Sequence, residues 1–274
     1  MGEAATLGDG LALLAGVSWT TLAVIAAVSF VASTVGNTTG FGMMPIIMMA
    51  IAPVVGVKAV VPVMSVVGLV TNVARLHTYR DGIRWRPALI CSLGAVPGVI
   101  LGAMLYARMS AGVVALIIAG FMFVTVAARR MPKRGAGEVR RRHLPPAGVF
   151  GLSAVWGVIN GIVTGAGVMI VVILLSSGLE GVVLLGTRAA AGMIMTVAKL
   201  GAYSGLDVLG WDLAMIGLLI SACTVPGVWA SRRLVDVMPV RVHTMVLEAL
   251  IVIGGGYFLL RGLDELNVGS GFLA

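Results

Sequence analysis

Arg188 and Lys199 are the residues best suited to chemistry, because both sit inside an apolar run long enough to cross a membrane. The run reads GVVLLGTRAAAGMIMTVAKLGAY over Gly181–Tyr203. A cation near the bilayer centre costs roughly 2.5–3.5 kcal/mol on insertion scales, so it is seldom kept without a partner or a task. Eleven helical steps separate the two. At about 100° per residue that returns to nearly the same azimuth, about 16 Å further along the axis. Two cations on one stripe predict a path or pocket for an anion. A guanidinium offers its donors in a planar fork that suits an oxyanion, so Arg188 is the first candidate for substrate contact. The alternative is an internal salt bridge to Glu248. Thr187 either adds a hydroxyl donor or bonds back to its own preceding turn. Lys199 is either a second anion contact or snorkels to the outer interface.

Three further groups bear on the same chemistry. Arg75 recurs as Lys199 in the second half of the chain and faces the same choice on the opposite side. Glu248 is the one acid deep in an apolar run, VHTMVLEALIVIGGG. It is a candidate proton carrier, since burial favours the neutral carboxyl, or else a counter-ion to Arg188 or Lys199. Asn37, Thr38 and Thr39, with Asn160 and Thr164 in the second half, lie at glycine-rich interruptions, GNTTGFGMMP (Gly36–Pro45) and NGIVTGAG (Asn160–Gly167). They supply neutral donors for an anion or cap the flanking half-helices. Unwound backbone at membrane depth is tolerated only where it is buried or lines a wet cavity. Paired interruptions therefore point to a midplane site with helix N-termini aimed at an anion; the rival reading is two tight surface turns.

The elements that must position these groups are helices in lipid. The 274 residues are 59% hydrophobic and 11% charged, with a mean hydropathy of +1.07. A soluble domain carries about 25% charge. The expectation is an all-α, polytopic integral membrane protein, because the apolar runs are long and lack the alternation of a barrel strand. Most runs can cross about 30 Å of hydrocarbon, but Met43–Val55 and Val168–Ser177 are too short to do so as ordinary helices. The first run lacks a positive flank and is not expected to be a cleaved signal. The net charge of +8 gathers in the linker RRMPKRGAGEVRRRH, which reads as a cytosolic loop near anionic headgroups and not as a nucleic-acid surface. Cys91 and Cys223 both fall in apolar runs and read as small buried hydrophobes. The scattered histidines and cysteines predict no metal site, no nucleotide-binding loop or nucleophile–base pair is present, and neither cofactor nor enzymatic activity is expected.

The halves resemble each other, which divides the chain into a first membrane repeat (1–128), a basic linker (129–147) and a second repeat (148–274). Gly68, Val73, Ala74, Leu76 and Tyr79 recur 124 positions later as Gly192, Val197, Ala198, Leu200 and Tyr203. Trp85 matches Trp211, and Pro97-Gly98 matches Pro226-Gly227. An ordered series of this kind indicates duplication. Lys and Arg bias places the loop Arg75–Arg86 and the linker inside, and Asp207 outside. Equivalent loops then face opposite sides, so the expectation is two inverted repeats of about five segments, with both termini outside and the short segments broken or re-entrant. The stripes Gly94-x-x-x-Gly98-x-x-x-Gly102 and Gly157-x-x-x-Gly161-x-x-x-Gly165 predict close helix packing.

Through both halves, roughly Val24–Arg130 and Gly148–Gly262, the chain resembles the TauE/SafE (TSUP, sulfite exporter) family of membrane transporters. The carrying motifs are the glycine-rich break with its proline, GNTTGFGMMP; the loop YRDGIRWRP; the Pro-Gly-x-x-x-Gly helix Pro97–Gly102; and Gly186, Thr187 and Arg188 followed by Lys199. The resemblance implies an inner-membrane secondary transporter for a small sulfur-containing anion: sulfite, thiosulfate, or a sulfonate such as sulfoacetate. Alternating access, optional proton coupling and a possible homodimer complete the expectation. An anion channel with the same cationic pathway is the alternative.

Overall fold

A computed structural model describes residues 19–38, 43–130, 145–164, 167–234 and 240–266. They form ten α-helices: α1 (Trp19–Thr38), α2 (Met43–Val55), α3 (Val57–Thr78), α4 (Trp85–Arg108), α5 (Ala111–Arg130), α6 (Pro146–Ile162), α7 (Gly167–Ser176), α8 (Gly181–Gly205), α9 (Trp211–Leu234) and α10 (Val240–Glu265). A single 3-10 turn, Arg80–Gly82, joins α3 to α4. Five helices precede residues 131–144 and five follow, and no strand occurs among the described residues. Most of the basic linker lies outside the described residues. By length and composition α3, α4 and α8 can each cross a membrane. The 13 residues of α2 and the 10 of α7 rise only about 20 and 15 Å. Neither reaches across hydrocarbon alone, as their sequences predicted.

Large apolar side chains such as Leu93, Leu101, Val124, Val155 and Ile253 are exposed. That pattern is unfavourable in water and expected in lipid, where the surrounding solvent is itself apolar. The chain forms two compact units, and each draws helices from both halves of the sequence. The first takes α1, α2, α3 up to Val67, α5, α9 and α10. Within it α1 packs on α9 and α5 on α10. Ser33 Oγ donates to the carbonyl of Thr224 at 2.6 Å. Ile47, Ile51, Val63, Met64, Ile118 and Phe258 are buried in this unit.

The second unit takes the rest of α3, the turn, α4, α6, α7 and α8. Its central pair is α4 on α6, and the two glycine stripes explain why. A Cβ at Gly98 would overlap the carbonyl oxygen of Ala154, and one at Gly157 would overlap that of Ala95. Both backbones approach too closely for any side chain, which is how small residues drive helix association in lipid. Gly165 of the second stripe lies outside the described residues.

Candidate anion site at the second helix break

The break between α6 and α7 is held from one side by a single helix, α8. The last carbonyls of α6 have no partner within their own helix. Lys199 Nζ donates to the carbonyl of Asn160 at 2.6 Å and to Thr164 Oγ1 at 2.9 Å. Tyr203 Oη donates to the carbonyl of Gly161 at 2.5 Å. The ammonium lies 5.4 Å from the centroid of the Tyr203 ring, and that ring rests on Tyr106 of α4 at 5.4 Å. Lys199 is only 2% exposed, so it does not snorkel. A cation here also complements the negative end of the α6 dipole. Asn160 contributes its backbone and Thr164 its hydroxyl to this clasp, and the side chains of both are buried.

Arg188 addresses the other edge of the break. A Cβ built at Gly167, the first residue of α7, would lie 2.6 Å from Arg188 Nη2. The guanidinium thus occupies space that glycine alone leaves open, beside the positive end of α7. Arg75, on the second part of α3, is within electrostatic reach of Arg188 and is also a cation. Among the described residues no carboxylate pairs with Arg188. The two cations of the α8 stripe therefore differ in kind. Lys199 is compensated by a helix C-terminus, whereas Arg188 adds positive charge to a helix N-terminus.

Thr187 is fully buried and points elsewhere. Its Oγ1 accepts the backbone N–H of Arg84 at 3.0 Å, fastening the start of α4 to α8. Asn37 and Thr38 are the last helical residues of α1, and their side chains, with all of Thr39, lie outside the described residues. Glu248 is half-buried on α10 and belongs to the first unit, whereas Arg75, Arg188 and Lys199 belong to the second. Three groups of the site were not singled out for it from sequence. Tyr203 was visible as an i+4 neighbour of Lys199. Gly167 was visible only as one glycine in a glycine-rich break. Thr196 accepts from Asn72 Nδ2 at 3.2 Å, and these two residues are 124 apart. That separation equals the repeat offset, so repeat-equivalent positions on α3 and α8 touch.

Apolar helices, a helix broken between Ile162 and Gly167, a buried lysine at one edge of that break and a half-buried arginine at the other define a helical integral membrane protein. The family model described as Sulfite exporter TauE/SafE matches residues 21–258, and the chain belongs to this family of membrane transporters. No curated protein and no solved structure matches significantly.

Proposed function

We propose that the chain is a secondary transporter that moves a small sulfur-containing oxyanion across the inner membrane, with Arg188 as the principal contact. The carrying observation is the placement of Arg188 at Gly167: its guanidinium lies beside the positive N-terminus of α7, within electrostatic reach of a second cation, Arg75, and no described carboxylate pairs with Arg188. Positive groups converging at membrane depth repel one another, and an anion between them relieves that repulsion. Sulfite, thiosulfate and sulfonates have oxygens spaced for one guanidinium fork plus backbone N–H groups. Lys199 and Tyr203 keep the break open by holding the end of α6, so Lys199 acts by positioning. Thr187 likewise holds the turn before α4.

Two inverted repeats supply the alternating access. The Asn72–Thr196 hydrogen bond supports this reading, because a pseudo-twofold axis brings equivalent residues together where it passes between them. Reconstitution into liposomes tests the proposal. Saturable uptake with counterflow by unlabelled sulfite or sulfonate is expected. Flux that grows linearly with concentration, without counterflow, would indicate a channel and overturn the carrier reading.

A further inference from the structure

An open-sided cavity of about 630 Å³ lies beside the start of α4, walled by residues 83–87, by the α7–α8 loop and by Val183 in the first turn of α8. The loop reverses the chain at Gly178 and Gly181, whose φ angles of 79° and 57° suit glycine. Helices α7 and α8 thus make a hairpin. Its loop forms one cavity wall, and its deep end holds Gly167 against Arg188. The opposite wall is tied to α8 through the backbone. Arg84 N–H donates to Thr187 Oγ1 at 3.0 Å. A Cβ at Gly82 would lie 2.5 Å from the carbonyl oxygen of Val182, and one at Gly186 equally close to that of Tyr79. Arg188 follows Thr187 directly and is five residues beyond Val183, a rise of about 7.5 Å. The cavity is therefore preformed, and one helix carries both its wall and Arg188.

Arg84 and Arg86 line this cavity, and both are exposed. Neither guanidinium makes an ion pair among the described residues. Glu180 lines the opposite wall and has an interaction of its own within the protein. Two guanidiniums outnumber one carboxylate, so the cavity is net positive whatever Glu180 bonds. The bias of Lys and Arg toward cytosolic loops accounts for arginines at this end of α4. It does not account for their lining a fixed concavity within two turns of Arg188. Trp85 is 55% exposed, and an exposed indole at a helix start marks the water–lipid boundary. The cavity thus opens at headgroup level, and Arg188 lies deeper along α8. The feature belongs to one repeat only. Trp211 matches Trp85, but its neighbours are Gly210 and Asp212 where the first half has Arg84 and Arg86.

Resting on the transporter reading above, we propose that this cavity is a capture site, where Arg84 and Arg86 together hold a doubly charged sulfur oxyanion at the water–lipid boundary on its way to or from Arg188. A dianion engages both guanidiniums at once, which chloride does less well. The site is wet and screened, so it binds more weakly than a dehydrated contact at Arg188.

The test maps arginine modification by phenylglyoxal on the full chain in detergent, with peptide mass spectrometry reading each arginine separately. Thiosulfate and sulfoacetate are the probes, sodium chloride at matched ionic strength is the blank, and glycerophosphate stands for a lipid phosphate. Both probes are expected to slow modification of Arg84 and Arg86 at least about fivefold relative to chloride, and to leave Arg108, exposed at the far end of α4, unprotected. Half-maximal protection at the cavity should need about tenfold more probe than at Arg188. Arg84→Gln should weaken the protection of Arg86 about tenfold, and Arg86→Gln that of Arg84, because the two share one anion; protection of each that ignores the other's substitution overturns the proposal. Protection of Arg188 alone overturns the capture site and leaves the Arg188 contact standing. Protection of Arg84 and Arg86 without Arg188 supports the capture site and removes the Arg188 contact. Protection of none of the three overturns both. Stronger protection by glycerophosphate than by either probe also overturns the proposal, and assigns the cavity to a lipid phosphate.

Discussion

Replacing Gly167 by alanine tests the Arg188 site without touching a charge. The new Cβ would stand 2.6 Å from Arg188 Nη2. Non-bonded carbon and nitrogen settle at about 3.5 Å or more, so the guanidinium must retreat by about 1 Å. A charge-assisted hydrogen bond of about 2.8 Å stretched by that much exceeds 3.5 Å and is lost. Hydrogen bonds to charged groups contribute about 1.5–3 kcal/mol, which is roughly a ten- to hundredfold loss of anion affinity. Stability should move the other way. Gly167 is not among the glycines with positive φ, and the clashing atom is the far end of a flexible side chain. Alanine at a helical position is favoured over glycine by up to about 1 kcal/mol. Gly167→Ala should therefore melt at or above the wild-type temperature while binding sulfite or a sulfonate at least tenfold more weakly. Calorimetry on monodisperse protein, with a melting curve on the same sample, measures both. Unchanged affinity in the folded variant would refute the placement of an anion between Arg188 and the start of α7.

The remaining expectations involve other groups. Arg188→Lys keeps the charge but loses the fork and should weaken binding severalfold, and Arg188→Ala by about ten- to a hundredfold; wild-type affinity in a folded Arg188→Ala protein removes the residue from the site. Lys199→Met leaves the Asn160 carbonyl without its charged donor and should cost about 1–3 kcal/mol of stability, read as a lower melting temperature that saturating anion does not restore. Glu248→Gln should abolish pH-driven uptake yet spare anion exchange if Glu248 carries the coupling proton; an unchanged pH response rejects that role. Single cysteines at Arg80 and Asp207 should differ in labelling by an impermeant reagent applied outside, with reaction at position 207 only; labelling of both would exclude the inverted arrangement.

The helices were largely legible because their apolar runs are sharply bounded. Met43–Val55 emerged with the bounds expected, and the two glycine stripes pack closely, with Gly102 against Gly161, as their spacing predicted. What Lys199 touches was not legible. A lysine stem reaches either an interface or a helix end, and only the position of α6 beside α8 decides between carbonyl and water. Thr187 is similar: its acceptor role depends on the fold of the Tyr79–Ile83 turn, which no local pattern on α8 encodes. Ordered identities between the halves were visible in the sequence, but not that each compact unit would mix helices of both halves. Hydrophobic periodicity says which helices enter a membrane and is silent on which of them pair.

That mixing sets a timetable for synthesis. Ser33 on α1 bonds a residue 191 positions downstream. At about 5–20 residues per second, roughly 10–40 s pass between the two leaving the ribosome. Through that interval α1 stands in the bilayer without α9, its Ser33 hydroxyl denied the Thr224 carbonyl and the groove that later receives Gly227 still filled by lipid. The first half of the chain is thus an assembly intermediate awaiting its complement.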